Sequence, residues 1–336
     1  MRSRVLALYL SHHGNAEHPA TKGDGLKIAV LEGGRSLERG VSLRTGGRVK
    51  DALARLGHEV VSVDADTSMI SNLRAQKPDV AFLALHGRDG EDGTVQQVLD
   101  LLEIPHTSSN AAASARTGDK ALAKRRFRAA GLPTPDFYVL DSTAVRELAA
   151  VELVPTIGER LGWPMILKPA LQGSSLGVAL AHKEEDVPGA LLSALSYDDR
   201  VLFEQYCPGR DLAVAVVGKP EGAVAWPPVE AIPGGDQYDF QARYEIGSAK
   251  FECPARLDSA TYERACELAV SAFEALQCSG VARVDLILGE DGALTILEID
   301  SVPGLTQTSL VPLAAEAAGL EFDALIELML DLAVAA

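Results

Sequence analysis

The chain has 336 residues, of which 47% are hydrophobic and 23% charged, a composition typical of a globular protein with two or three packed units. Its formal net charge of −16 argues against nucleic acid or an anionic membrane as the main partner, while a local basic site for an anionic ligand stays compatible with it. The apolar runs are too short for a membrane span. The four cysteines lack CxxC spacing, which predicts reduced cytoplasmic thiols and neither a disulfide framework nor a zinc site.

The first part of the chain alternates strand and helix patterns after a polar, histidine-containing segment. We predict a flexible leader over residues 1–25, since its apolar run is too short for a signal peptide. In residues 26–116 the spacing of apolar residues predicts strands at 26–31, 59–63 and 80–85 and helices at 42–56, 68–75 and 94–102. This alternation predicts a parallel α/β domain that binds its ligand at the carboxyl ends of the strands. Gly33, Gly34, His86 and Gly87 follow such ends.

Two further units follow, at residues 117–206 and 207–336. The first opens with a basic helix over 119–130 and continues with strands at 164–169, 178–181 and 201–206. The second contains a strand at 213–217, a polar loop over 233–251, and helices at 259–277 and 322–334. Long polar loops inside compact domains are often lids, so Arg243 and Tyr244 are candidates to close over a ligand. Simple packing of Tyr244 is the alternative.

A charged hairpin over residues 280–304 is the most informative segment. Two apolar runs, 281–288 and 293–299, flank an Asp-Gly turn, which predicts paired strands. Arg283 and Asp285 share one face of their strand, and Glu298 and Asp300 share one face of the other. Converging carboxylates with hard oxygen donors suit Mg²⁺ that carries nucleotide phosphates. The alternative is a solvent-facing hairpin with ordinary surface charges.

Two loops are further candidates. The loop LQGSSLG over 171–177 is rich in small residues whose backbone N–H groups can approach phosphate oxygens, although a plain hairpin turn would have the same composition. Lys168 precedes it in an apolar strand and would reach a phosphate or, alternatively, extend to solvent from an edge. The loop HGRDGEDG over 86–93 follows a buried strand, where function often lies, or is an ordinary connection to a helix capped by Asp92 or Thr94.

Taken together, these segments resemble one family, the D-alanine–D-alanine ligases, which are ATP-grasp carboxylate–amine ligases. The resemblance spans residues 26–334 and implies an α/β (α+β) ATP-grasp fold. In that fold an N-terminal parallel domain (26–116) precedes a central subdomain (117–206) and a C-terminal subdomain (207–336) with metal and lid residues. The matching segments are GGRSLERGVSL, LALHGRDGEDGT, GDKALAK, ILKPALQGSSLGV, VLFEQY, YDFQARY, ARVDLIL and LEIDSVPGLTQTSLVP.

The resemblance implies that two D-alanines are joined with ATP through an acyl phosphate, in the cytoplasm, for peptidoglycan precursors, by a homodimer. It implies roles by position. Residues implied to contact the nucleotide are Lys120, Lys168, Glu204, Gln205, Tyr206, Cys207, Asp211 and Arg243. Of these, Glu204 is implied to accept the adenine amino group. Residues implied to hold two Mg²⁺ ions, or Mn²⁺ in their place, are Asp285, Glu298 and Asp300. Residues implied to act on the amino acids or the reacting groups are Glu38, His86, Ser174, Arg243, Tyr244, Arg283, Gly304 and Ser309.

Three positions depart from the family pattern. Asp300 replaces a usual Asn, Arg243 replaces a usual Lys, and Gly40 replaces a usual Glu. The added charge at Asp300 and the forked guanidinium at Arg243 leave the reaction type unchanged but bear on the exact substrate. A ligase for another amino acid or hydroxy acid pair, and a non-catalytic ATP-binding homologue, are therefore the alternative functions.

Overall fold

The computed structural model describes residues 25–234 and 247–335. The predicted leader, apart from Gly25, and the predicted lid residues Arg243 and Tyr244 lie outside these ranges. In the described ranges no helix is long and apolar enough to cross a membrane. All four cysteines are free thiols.

The first unit is a three-stranded parallel sheet flanked by helices, which confirms the predicted α/β domain. Its elements are β1 (Lys27–Glu32), α1 (Arg39–Arg55), β2 (Glu59–Asp64), α2 (Met69–Gln76), β3 (Val80–Leu83), α3 (Thr94–Leu101) and α4 (Ala111–Gly118). The strand order is β2-β1-β3, with Ile28 of β1 opposite both Val60 and Val80. Ser42 on α1 accepts the Gly33 N–H at 2.8 Å and donates to the Ala84 carbonyl at 2.7 Å. This side chain therefore joins the loops that leave β1 and β3.

The second unit contains a four-stranded antiparallel sheet in the order β4-β7-β5-β6. Its elements are α5 (Lys120–Ala129), β4 (Phe137–Asp141), α6 (Ser142–Glu147), α7 (Val154–Leu161), β5 (Met165–Pro169), β6 (Ala179–Ala181), α8 (Val187–Leu195) and β7 (Arg200–Gln205). The apolar faces of α7 and α8 pack on this sheet. In the register of β5 and β7, Lys168 pairs with Leu202 and Ile166 with Glu204, so both charged residues lie on central strands.

The third unit is built on an antiparallel sheet in the order β11-β10-β8-β12-β13, with β9 paired to β8. Its elements are β8 (Arg210–Lys219), β9 (Gly222–Ala225), β10 (Val229–Pro233), β11 (Ala249–Glu252), α9 (Ser259–Ala275), β12 (Val281–Leu288), β13 (Leu294–Asp300), α10 (Leu310–Ala317) and α11 (Phe322–Val334). The predicted hairpin is confirmed: Arg283 pairs with Asp300 and Asp285 with Glu298. A register shift after Asp285 leaves Leu297 as the extra residue of a bulge.

The units share hydrophobic cores. Helix α11 packs Ile326 and Met329 against Ile28 and Phe82 of the first sheet. Helix α5 packs Ala123 and Phe127 into the core beneath β12 and β13. Each predicted unit therefore contains one sheet, while the helices at its ends belong to a neighbour's core. The boundaries themselves stay a prediction.

Candidate active site

A polar cleft lies where the three units meet. Its lining includes Gly87 and Glu91 from the loop after β3, Ser174 from the glycine-rich loop, and Arg283 and Asp300 from the hairpin. Thr117 beside the cleft is hydrogen-bonded to Ser301 at 3.0 Å, which links the end of α4 to the end of β13. Segments far apart in sequence therefore form one polar site.

The hairpin supplies the charged wall of the cleft. Arg283 donates to both carboxylate oxygens of Asp285, at 2.7 and 3.0 Å, and to Asp300 at 3.0 Å. The two salt bridges follow from the period-2 geometry and from the direct pairing of Arg283 with Asp300 across the strands. Glu298 lies 3.5 Å from the ammonium of Lys120. Three carboxylates against one guanidinium and the Lys120 ammonium still leave an excess of negative charge that a cation would balance.

The carboxylates of this wall suit Mg²⁺ that also binds water and substrate phosphates. They suit a metal ion bound by protein ligands alone less well. The described residues contain no group of three or more ligands already arranged around a metal position, because Arg283 lies between Asp285 and Asp300. Mg²⁺ usually takes one or two protein carboxylates and completes its shell with water and substrate phosphates. Asp285, Glu298 and Asp300 offer the hard oxygens that this mode of binding requires.

Lys120 and the glycine-rich loop form the side of the cleft nearest the second unit. Asp119 caps α5 by accepting from the N–H groups of Ala121 and Leu122, and this cap fixes Lys120 in the first turn. The Lys120 ammonium donates to the Gln172 carbonyl at 2.6 Å. Ser174 and Ser175 have φ of +52° and +58°, a left-handed conformation that non-glycine residues seldom adopt. Such strain is frequent where a loop clamps a ligand.

Behind this loop lies a buried cluster of two lysines and one glutamate. Glu204 contacts Lys124 at 2.5 Å and Lys168 at 2.7 Å. Burial favours the neutral acid at Glu204, but the two ammonium groups outweigh it, so its pKa lies below the ordinary value. Burial disfavours charge at Lys168 as well, yet Glu204 and Glu298 raise its pKa. Burial lowers the pKa of Lys124 to about 8; the charge of Glu204 opposes this shift and the like charge of Lys168 adds to it.

Glu38 and His86, from the first unit, meet Ser174 of the glycine-rich loop. The Ser174 hydroxyl donates to Glu38, which is 1% exposed. Burial, and then the charge of Glu91, raise the pKa of Glu38 to about 7. His86 is hydrogen-bonded to Thr45 at 2.9 Å, and Glu91 lies 3.5 Å from its other ring nitrogen. Burial lowers the pKa of His86, which favours the neutral imidazole.

At two glycines near these groups, neighbouring side chains lie too close to leave room for a Cβ atom. Gly87 has φ of +72°, and a Cβ there would lie 2.2 Å from the Glu38 carboxylate. A Cβ on Gly304 would lie 2.9 Å from the Ser309 hydroxyl and 3.8 Å from the His86 ring. Ser309 in turn accepts the Thr306 N–H at 2.9 Å at the start of α10. The loop between β13 and α10 is thus held against His86.

The remaining predicted residues lie further along the strands. Gln205 ends β7, and Tyr206 and Cys207 follow it beside Glu204. Asp211 on β8 lines a smaller cavity together with Asp285 and Glu298. Arg243 and Tyr244 lie outside the described residues, so their implied roles stay predictions.

Three residues of this site were not predicted from the sequence. Glu91 lies in the polar loop that the sequence singled out, but nothing in the pattern distinguished it from its acidic neighbours. Lys124 lies four residues after Lys120 and so shares its helix face, a signal that would have marked it. Thr45 is seven residues after Glu38, two turns along α1, and that spacing carries no chemical signal.

A parallel α/β unit, two antiparallel sheets and a cleft lined by Lys120 and a carboxylate hairpin, with two more buried lysines behind its glycine-rich loop, define a ligase of the ATP-grasp class. Family models match two segments of the chain: the D-ala D-ala ligase N-terminus over residues 66–109 and the D-ala D-ala ligase C-terminus over residues 127–331.

Individual proteins agree with the family models. The chain is 40% identical over 309 residues to the D-alanine–D-alanine ligase of Pelotomaculum thermopropionicum, covering 92% of this chain and 97% of that one. The solved structure of D-alanine–D-alanine ligase from Bacillus anthracis complexed with ATP superposes with a TM-score of 0.77 at 29% identity, covering 93% and 98%. VanG D-Ala:D-Ser ligase from Enterococcus faecalis gives 0.78 at 26% identity, covering 92% and 99%. The chain belongs to the D-alanine–D-alanine ligase family.

Proposed function

We propose that this protein joins two D-alanines into D-alanyl-D-alanine with ATP and Mg²⁺. One observation carries the proposal: the Arg283 guanidinium, held by Asp285 and Asp300, lines the same cleft as Lys120 and Ser174, and the Ser174 hydroxyl bonds to Glu38. The cleft thus brings cations for phosphate oxygens next to an anion for an ammonium group.

The reaction begins with attack of the first D-alanine carboxylate on the γ-phosphorus of ATP, which forms an acyl phosphate and releases ADP. Lys120 and Lys168 would hold the phosphates, and Asp285, Glu298 and Asp300 would hold Mg²⁺, which would neutralise phosphate charge. Glu38 and His86 would orient the ammonium of this first amino acid. Cations must surround the site because the step brings anions together.

In the second step the amine of the second D-alanine attacks the acyl carbonyl and phosphate leaves from the tetrahedral intermediate, as the amine loses a proton. Arg283 and the backbone N–H of Gly304 would stabilise the oxyanion, and Ser309 would bind the carboxylate of the second amino acid. The acyl phosphate hydrolyses in water, so Arg243 and Tyr244 would close the cleft over it.

Phosphate release tests the proposal. Purified protein with ATP and Mg²⁺ should release phosphate when D-alanine is added, yield a product with the mass of the dipeptide, and stop when a chelator removes the metal. L-alanine serves as the control. Release with D-serine or D-lactate but not with D-alanine pairs would instead show a different acceptor, and no release with any acceptor would indicate a non-catalytic ATP-binding protein.

The proposal extends to a homodimer that acts in the cytoplasm on peptidoglycan precursors, supported by the family and by the four free thiols. Light scattering on the eluted protein would measure the oligomeric state directly.

A further inference from the structure

We propose that Lys124 is a positioning residue for the nucleotide: it is the fixed counter-ion that keeps Glu204 aimed at the adenine amino group while Lys168 turns to the phosphates. This inference rests on the nucleotide binding contained in the proposed function. It adds a second lysine to the adenine end of the site and makes that lysine a determinant of base specificity.

The cluster is arranged so that the two lysines contact different oxygens of Glu204. Lys124 approaches Oε1 at 2.5 Å and Lys168 approaches Oε2 at 2.7 Å. The Lys124 side chain is fully buried, and those of Lys168 and Glu204 are 8% and 4% exposed. Water therefore screens these three charges only weakly, so each charged group is stabilised mainly by the other two.

Lys124 is anchored on its other side. Its ammonium donates to Thr134 Oγ1 at 3.1 Å, and the Thr134 hydroxyl donates to the Ile296 carbonyl of β13 at 2.8 Å. Its helix is fixed by Phe127, which is fully buried in the core of the third unit. Lys124 therefore cannot follow a ligand without breaking these contacts, so it stays with Glu204.

Glu204 retains room for a donor. Each carboxylate oxygen has two lone pairs, and Lys124 at Oε1 and Lys168 at Oε2 occupy one apiece. A ligand N–H could therefore donate to a remaining lone pair of Glu204 without displacing Lys124. The exocyclic amine of adenine provides such a donor, whereas a 6-carbonyl base or an unsubstituted purine does not.

The charge count explains why two lysines are needed. Lys168 is the lysine of the cluster assigned to phosphate, and it also holds Glu204 at 2.7 Å. Once Lys168 turns to a phosphate, Glu204 would be a buried anion without a partner if Lys124 were absent, which is strongly unfavourable. With Lys124 in place, the remaining pair is neutral.

Equilibrium binding of nucleotides without amino acid tests this role and does not depend on ligase turnover. The probes are ATP and purine riboside triphosphate, which lacks the 6-amino group. Lys124→Met should raise the Kd for ATP about tenfold or more, since it leaves the buried Glu204 unpaired when Lys168 engages the phosphates. It should also bring the Kd ratio of the two nucleotides close to one, because Glu204 is no longer held toward the base. Lys124→Arg should restore part of the preference.

Arg125→Met is the matched control, because Arg125 is an exposed cation on the same helix. It should leave both Kd values unchanged, which excludes a general effect of removing one positive charge. If Lys124→Met fails to fold, Thr134→Val loosens the same lysine and should lower the nucleotide ratio in the same direction. An unchanged ratio in Lys124→Met, or in Thr134→Val if only that variant folds, would overturn the inference, while D-alanine-dependent phosphate release by the wild type would leave the proposed function standing.

Discussion

At the scale of single residues, Asp300 combines a structural bond with an unusual charge. One carboxylate oxygen accepts from Arg283 and the other from the Val302 N–H, each at 3.0 Å. Its negative charge also contributes to the raised pKa values of Glu38 and Glu91 across the cleft. The carboxylate in place of the family's usual amide therefore affects the acid–base state of neighbouring groups as well as the charge of the hairpin.

Asp300→Asn should preserve D-alanine-dependent phosphate release, because the amide oxygen can still accept one of these hydrogen bonds. The pH at which kcat/KM for the first D-alanine reaches half its maximum should fall, since removing a negative charge lowers the pKa of Glu38. The measurement is a pH–rate profile of both proteins. Complete loss of activity would show that the carboxylate itself is required.

Glu38 should make the protein less stable as the pH rises. Its pKa is about 7 in the fold and 4.5 in the unfolded chain, so the folded state binds the proton more tightly. This stabilisation is fully present below pH 4.5 and is lost as the pH rises through about 7. Glu38→Gln should remove this dependence and raise the free energy of unfolding at pH 8 relative to wild type by up to about 3 kcal/mol. Denaturant unfolding at pH 5 and pH 8 measures it, and equal differences at both values would contradict the assignment.

At the scale of elements, α1 supports two parts of the site from one face. Thr45 bonds to His86, and Arg48, three residues later, donates to the Leu305 carbonyl and lies 4.0 Å over the ring of Phe322. Residues three apart on a helix are neighbours, so one face carries both contacts. Helix α1 therefore fixes the loop containing Gly304 relative to His86.

Arg48→Met should lower the free energy of unfolding by about 1–3 kcal/mol, because the Leu305 carbonyl loses a charged donor and Phe322 loses its cation. Chemical denaturation measures this change. Arg44→Met, at an exposed position on the same helix, is the control and should change stability by less than about 0.5 kcal/mol. Equal effects of the two substitutions would rule out a specific role for Arg48.

The sequence predicted some elements well and missed others for physical reasons. The hairpin was predictable because an Asp-Gly turn and period-2 alternation determine both pairing and facing. Helices α7 and α8 were not predicted; Pro155 and Pro188 lie in their first turns, where a helix needs no N–H donor.

At the scale of the whole molecule, the first and third units are joined through a shared core. Ile326 of α11 is fully buried with Ile28 and Phe82 of the first sheet, and Arg55 forms a bidentate salt bridge with Asp323 at 2.6 and 2.8 Å. An apolar core shared by two units couples their unfolding more strongly than exposed ion pairs do.

Ile326→Ala should therefore destabilise both units together by about 2–5 kcal/mol, the cost of a large-to-small change at a fully buried site. Calorimetry should show the first and third units unfolding in one transition of lower Tm. Val334→Ala, at a position 54% exposed, is the control and should leave the Tm nearly unchanged. Two separate transitions, with only one of them shifted, would show that the units unfold independently.

The sequence by itself determined the family, the parallel α/β unit and the side chains that share faces of the hairpin, because these follow from local order, period and turn chemistry. Only the tertiary structure decided that Ser174 reaches Glu38 and that Lys124 shares Glu204 with Lys168. Ser174 and Glu38 are 136 positions apart, and Lys124 on a helix is 80 positions from Glu204 on a strand. No local sequence pattern encodes which loops the shared cores bring together. Packing of the units therefore completes a site of which the sequence specifies only the separate parts.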